Sequence, residues 1–261
     1  MARRSIDGRR AIITGCSSGI GRQLALQMAD RGCRLVINAR REEKLIELAA
    51  QVRDQGGEAV IVAGDVTDPA VRQQMVETAE REFDGLDILV NNAGIGALGP
   101  FADADEDRLR RVMEVNFFAP AELTRLAIPV LEKGERPIVV NISSVLAHRA
   151  VPLKSEYCAS KFALHGLSDA IRSEIQERGI DTLLVSPSTT ASEFFDNVIE
   201  KQGDYKQMSK AQAPEYVARR TIRAIERGKH EIILSWSGWG LVWLDRLFPA
   251  LADRLVSRFG K

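Results

Sequence analysis

Seven short runs of aliphatic and β-branched residues recur along the chain: AIIT (11–14), RLVINA (34–39), AVIVA (59–63), DILVN (87–91), PIVVNI (137–142), DTLLVS (181–186) and EIILS (231–235). Each has the length and composition of a strand buried on both faces. Between them lie longer stretches with apolar residues at helical spacing, near 20–31, 42–55, 69–83, 106–132, 156–178 and 214–227. Strands separated by helices pair in parallel, and right-handed crossovers place helices on both faces of the sheet. The expected fold is therefore α/β, a Rossmann-type, doubly wound seven-stranded parallel sheet. With no internal repeat, low-complexity tract or linker, residues 1–261 read as a single domain. Segment 189–213 shows no clear strand and few apolar residues. It reads as a mobile substrate loop with short helices, and 236–261 as an apolar C-terminal extension.

Charge excludes some partners. Lys plus Arg number 36 and Asp plus Glu 36, so no global field draws the chain to nucleic acid. Cys16, Cys33 and Cys158 lack metal-ligand spacing and read as small buried side chains in a reducing, cytoplasmic setting. No metal site is expected. MARRSIDGRR has no apolar stretch behind its charges, so no leader is expected, and no apolar run reaches the roughly 18 residues of a spanning helix.

TGCSSGIG (14–21) directly follows the first strand. Gly15, Gly19 and Gly21, with Ser17, Ser18 and Ile20, make a tight strand-to-helix turn. Its backbone N–H groups can cradle a pyrophosphate at a helix N-terminus. Beyond the second strand, where a carboxylate would accept from an adenosine ribose, the chain offers Arg40 and Arg41. Guanidinium groups suit a 2′-phosphate, so NADP is expected over NAD. Asp65 and Val66 end the third strand, where they would meet the adenine. Asn92, Ala93 and Gly94 of NNAG end the fourth, in the crevice where a dinucleotide lies.

SEYCASKFALHG (155–166) begins a helix with Tyr157 and Lys161 on one face, and Ser144 ends the fifth strand thirteen residues earlier. TGCSSGIG, NNAG, Asn116, Ser144 and YCASK together resemble the short-chain dehydrogenase/reductase family over roughly residues 8–235. The resemblance implies hydride transfer between a nicotinamide and a small-molecule carbonyl or secondary alcohol. It makes Tyr157 the general acid/base and Lys161 the group that lowers its pKa and holds the nicotinamide ribose. Ser144 then orients the carbonyl, and Asn116 supports a water chain to the lysine. A homodimer or homotetramer is expected. The pattern departs after the sixth strand, where PSTTASEFF puts Pro187 at the crevice, Ser188 in the usual glycine position and Ser192 in that of the carboxamide-binding threonine. Ser188 loses free access to positive φ, which puts that backbone in doubt. An alternative is a catalytically idle, cofactor-sensing interaction protein on the same fold, though both Tyr157 and Lys161 are present.

Three further features need placing. His148 and Arg149 follow the serine and could touch substrate. Pro120, inside a helical pattern, removes the donor for the Asn116 carbonyl. Two readings stand: the carbonyl is freed to hold a water on the way to Lys161, or the proline simply bends the helix around the cofactor. In the extension, Trp239, Val242, Trp243, Leu247, Leu251 and Leu255 form one apolar stripe, with Asp245, Arg246, Asp253 and Arg254 opposite. That stripe is expected to cover a subunit interface or the substrate entrance, with weak membrane-surface contact as the alternative.

Overall fold

The structure, a computed structural model, describes residues 4–191 and 211–257, together with the backbone of 199–201. Nine strands appear among them: β1 (Arg10–Thr14), β2 (Arg34–Ala39), β3 (Glu58–Ala63), β4 (Ile88–Asn91), β5 (Ala97–Leu98), β6 (Ile138–Ile142), β7 (Asp181–Ser186), β8 (Ile199–Lys201) and β9 (Glu231–Ile233). The helices are α1 (Gly19–Ala29), α2 (Glu42–Asp54), α3 (Pro69–Phe83), α4 (Glu106–Met113), α5 (Ala119–Leu131), α6 (Ser155–Gln176), α7 (Pro214–Glu226), α8 (Trp236–Leu247) and α9 (Pro249–Val256). Seven strands form one parallel sheet in the order β3-β2-β1-β4-β6-β7-β9. The order reverses beside β1, so the carboxyl ends of β1 and β4 open a crevice.

Alternate strand residues feed two cores. Ile13, Leu35, Ile37, Val90, Val140 and Val185 pack under α1, α2 and α7, on Leu24, Met28, Leu45, Leu48, Val217 and Ile222. Ile12, Val36, Leu89 and Val139 face the other way, onto Met75, Phe83, Leu123, Ala127 and Ile175 of α3, α5 and α6. Fully burying a side chain of this size stabilises by about 1.5–3 kcal/mol, so a strand with apolar residues on both faces is held from both sides.

One expectation needs correction. Segment 189–213 does contain a strand: β8 pairs in parallel with β5 in a separate two-stranded sheet. The rest of that reading, at 192–198 and 202–210, lies outside the described residues. The helical pattern over 106–132 is α4 and α5, joined not by a regular turn but by a widened π turn at Glu114–Phe118, closed by the Ala119 N–H donating to the Glu114 carbonyl. Pro120 follows at the start of α5. Having no N–H to give, it disrupts the regular ladder just before it.

α6 carries Tyr157 and Lys161, and its N-terminus is anchored to α4. Arg108 of α4 donates Nη2–H to Glu156 Oε1 at 2.6 Å and Nε–H to the same oxygen at 3.0 Å, with both side chains essentially out of solvent. Burial alone would raise the Glu156 carboxyl, but hydrogen bonds, led by Arg108, hold it below its ordinary value. Removing one member of a buried pair strands the other charge and costs about 3–5 kcal/mol. Glu156→Gln or Arg108→Met should therefore lower stability by roughly that amount in chemical denaturation. The double variant Arg108→Met/Glu156→Leu should recover most of the loss, and additive losses would contradict the pairing.

Candidate active site

A cavity of about 1000 Å³ opens at the carboxyl ends of β1, β2, β4 and β6. Fifteen of the expected site residues line it: Gly15, Ser17, Ser18, Gly19, Ile20, Arg40, Asp65, Val66, Asn92, Ala93, Gly94, Ser144, Tyr157, Lys161 and Pro187. Gly15 (φ 71) and Gly19 (φ 56) turn the chain in the left-handed region. A Cβ on Gly15 would stand 2.9 Å from both the Ala93 Cα and the Asn92 amide nitrogen. The loop can therefore lie against the end of β4 only as glycine. Backbone this close leaves a cradle along the N-terminus of α1 that fits a dinucleotide.

Three expected residues act from outside the cavity. Gly21 is buried in α1, where a Cβ would collide with the Gly15 carbonyl and the Asn92 side chain. It serves packing beneath the loop rather than phosphate contact. Arg41 points back to donate to the Ser17 hydroxyl at 3.0 Å and so steadies the loop, leaving Arg40 as the arginine facing the cavity. Asn116 is buried just behind the cavity wall, where a Cβ on Gly94 would stand 3.3 Å from its Oδ1 and 3.6 Å from Lys161 Nζ. Ser192 lies outside the described residues. The doubt over Ser188 is removed, because its φ is not positive. Its N–H donates to Gln212 Oε1 at 3.2 Å.

At the reacting end, Ser144 caps the short 3₁₀ turn Val145–Ala147, its hydroxyl accepting from the Leu146 N–H at 3.1 Å. It also faces the Tyr157 phenol and pulls that pKa downward. Lys161 Nζ stands 5.8 Å from the Tyr157 ring centroid and donates to the Ile142 carbonyl at 3.0 Å. Burial pushes the Lys161 pKa down to about 8, so it remains an ammonium at neutral pH. The expectation that the lysine lowers the tyrosine is not what dominates. Burial pushes the phenol up to about 12, against the opposing pull of Ser144. At neutral pH the pair is thus a protonated phenol beside a buried cation.

Asn116 accepts from the Ile95 N–H at 2.9 Å, and its amide donates to the Ile95 carbonyl at 2.9 Å and to Ser160 Oγ at 3.0 Å. Ser160 in turn donates to the Tyr157 carbonyl at 2.8 Å. One side chain therefore fixes the segment after β4 and the catalytic turn of α6 together. The sequence reading missed Ser160, although it sits three residues beyond Tyr157 on the same helix face. It also missed Thr14, whose hydroxyl accepts from the Asn92 and Ala93 N–H groups at 3.0 Å. Asn91 and Asn141 were detectable as polar residues inside apolar strands. They bond each other at 2.9 Å and extend to Thr124 and Ser168, tying β4 and β6 to α5 and α6.

Neither His148 nor Arg149 lines the cavity. His148 Nε2 lies 3.0 Å from Ser186 Oγ and 3.2 Å from Glu231 Oε1, with the His165 ring centroid 4.5 Å away. Arg149 donates to Asp245 at 2.8 Å and also pairs with Asp253, fastening α8 and α9 to the loop behind Ser144. The three cysteines are free and buried, and burial raises each thiol, which leaves Cys158 inert beside Tyr157.

The profile of the short chain dehydrogenase family matches residues 9–203. An uncharacterized oxidoreductase of Bacillus subtilis, YxnA, is 32% identical over 95% of this chain and 71% of its own length. Dehydrogenase/reductase SDR family member 7B of Bos taurus is 31% identical over 94% of this chain and 79% of its own. Among solved structures, a short chain dehydrogenase/reductase from Burkholderia phymatum in complex with NAD superposes with a TM-score of 0.88. It is 26% identical, and the match covers 95% of this chain and 96% of that one.

The His148 cluster has a pH consequence. Burial, then the charges of His165 and Arg246, lower its pKa from 6.5 to about 4, with Asp169 opposing. An unfolded histidine takes its proton near pH ~6.5, so between that pH and about 4 the unfolded chain binds more protons. Stability from this residue is complete above about pH 6.5 and drains away as pH falls toward 4. In denaturation at stepped pH, the stability difference between the parent and His148→Gln should shrink across that window. A constant difference would contradict the buried, neutral histidine.

Proposed function

Because the chain belongs to the short-chain dehydrogenase/reductase family, whose members are oxidoreductases, we propose that it is an NADP-dependent enzyme interconverting a carbonyl and a secondary alcohol. The observation that carries this reading is that Ser144, Tyr157 and the buried Lys161 ammonium line the same cavity as the glycine-rich loop. When bound, the nicotinamide supplies the hydride, and the chain supplies position and proton. Gly15, Ser17, Ser18, Gly19 and Ile20 hold the pyrophosphate, and Asp65 and Val66 the adenine. Lys161 holds the ribose, with Asn92, Ala93, Gly94, Pro187 and Ser192 around the nicotinamide. Ser144 and Tyr157 direct O–H groups at the substrate oxygen, and these bonds strengthen as charge develops there. A phenol near 12 is a proton donor at neutral pH, which suits reduction of the carbonyl.

Arg40, exposed at the adenosine end of the cavity, supports NADP over NAD through its match to a 2′-phosphate. The π turn before Pro120 agrees with a water-mediated proton path from the Asn116 carbonyl to Lys161. Exposed Phe118, Leu126 and Phe162 offer a face for a homodimer or homotetramer, and buried free thiols fit a reducing, cytoplasmic compartment. The idle, cofactor-sensing reading stands only if no substrate turns over.

Tyr157→Phe should keep NADPH affinity and lose roughly 10²–10⁴-fold in turnover, because one proton donor is removed. Near-normal turnover in a ketone and aldehyde screen would overturn the assignment. Reductive kcat/KM should be level below pH 7 and decline through about pH 8 as the Lys161 ammonium is lost. That limb should be absent in Lys161→Met. Arg40→Ala should weaken NADPH about ten- to a hundredfold, as loss of a charge-assisted bond of roughly 1.5–3 kcal/mol implies, and barely change NADH. Equal losses in a titration would contradict a phosphate contact.

A further inference from the structure

The extension is folded, and its apolar stripe is divided. Ser235 caps α8 by accepting from the Gly238 N–H at 2.9 Å. Gly238 lies so close to the site loop that a Cβ would stand 2.7 Å from a Val145 methyl. α8 therefore rests on the residue next to Ser144. Its inner side buries Val242 and turns Leu241 and Leu244 toward the cavity, where Leu255 of α9 joins them. With Val145, Leu146 and Val151 opposite, this end of the cavity is apolar. The outer side carries Trp236 (89% exposed), Trp239, Trp243 and Leu247 (62% exposed) at helical spacing, continued by Phe248 and Leu251. Of the stripe residues only Val242 is buried within the chain, and Leu255 turns to the substrate cavity.

The charges divide as well. The acidic residues of this helix pair, Asp245 and Asp253, both turn to Arg149. Arg246 lies over the Trp243 ring at 6.0 Å, and neither it nor Arg254 has an ion-pair partner among the described residues. The mixed composition of the sequence thus resolves into aromatic and aliphatic side chains flanked by two arginines, Arg246 and Arg254, while both acids are engaged by Arg149 and the group keeps a net charge of about +1. That is the pattern of a helix lying in an anionic lipid interface. No described helix is long and apolar enough to cross a membrane.

We propose that α8 and α9 dock the protein on an anionic lipid surface, and that the cavity they roof takes an apolar carbonyl or alcohol dissolved in it. The substrate class rests on the proposed oxidoreductase activity, whereas the docking does not. Trp236, Trp239 and Trp243 are the three tryptophans of the chain, so its tryptophan emission reports on α8 alone. The test titrates full-length protein with phosphatidylcholine vesicles, with and without phosphatidylserine, reading emission and co-flotation. Turnover is measured on a water-soluble ketone and on a long-chain ketone carried in the vesicles.

The expected result is a blue shift and flotation with phosphatidylserine vesicles, and faster reduction of the long-chain ketone on them. Arg246→Glu/Arg254→Glu should weaken vesicle binding at least about tenfold, since each basic residue near such a surface contributes about a factor of five. Trp239→Ser/Trp243→Ser should do likewise. Both variants should keep turnover on the water-soluble ketone. No association at any phosphatidylserine content would overturn the docking, and so would a change of oligomeric state in these variants without vesicle binding, which would assign the face to a second copy. Vesicle binding without turnover on either ketone would uphold the docking and overturn the oxidoreductase reading.

Discussion

The architecture depends on how closely the loop after β1 approaches the end of β4. At Gly15 the two backbones leave no room for a Cβ, and Gly21 admits the Asn92 side chain beneath the loop. Thr14 locks the contact, its hydroxyl accepting two N–H groups from Asn92 and Ala93. Asn92 returns the favour by donating to the Thr14 carbonyl at 2.8 Å. This contact sets the crevice at the reversal of strand order, so the glycine-rich loop and the Ser144, Tyr157 and Lys161 group line one cavity. Elsewhere the sheet tolerates ordinary packing; here a single added methyl would separate β1 from β4.

A second set of bonds carries that geometry to the reacting residues. The chain from Ile95 through Asn116 and Ser160 to the Tyr157 carbonyl joins the segment after β4 to α6, and Arg108–Glu156 joins α4 to the same turn. Lys161 is then fixed by the Ile142 carbonyl at the end of β6. Burying a lysine costs the charged form and burying a phenol costs the phenolate, and both shifts are present. The two shifts act in opposite directions on charge but to one end. They leave a cation that can still hold its proton at neutral pH beside a phenol that keeps its own.

What the sequence made legible was whatever local pattern determines. The seven central strands, the glycine-rich turn and the Tyr157–Lys161 face each rest on periodicity or on adjacent residues, and the structure has them where expected. Contacts between distant segments were not legible. The β5–β8 pair is too short to show a period, and no rule of spacing links Arg108 to Glu156 or Arg149 to Asp245 and Asp253. Gly21 and Arg41 stand behind the loop rather than in its cavity, because residues next to a phosphate loop look alike in sequence, whether they face the cavity or brace the loop. The tail misled for a related reason. Its charges appeared mixed until the fold paired both of its acids with Arg149.

The central claim is that this cavity moves hydride to a carbonyl carbon while the chain manages the proton. It is tested most directly by following the hydride itself. Reduction of a ketone panel with NADPH deuterated at the nicotinamide C4 position, read by nuclear magnetic resonance, should place deuterium on the former carbonyl carbon. The hydroxyl hydrogen should come from solvent. Protein that binds the cofactor but leaves every carbonyl unlabelled, or a product carrying solvent hydrogen on that carbon, would contradict it.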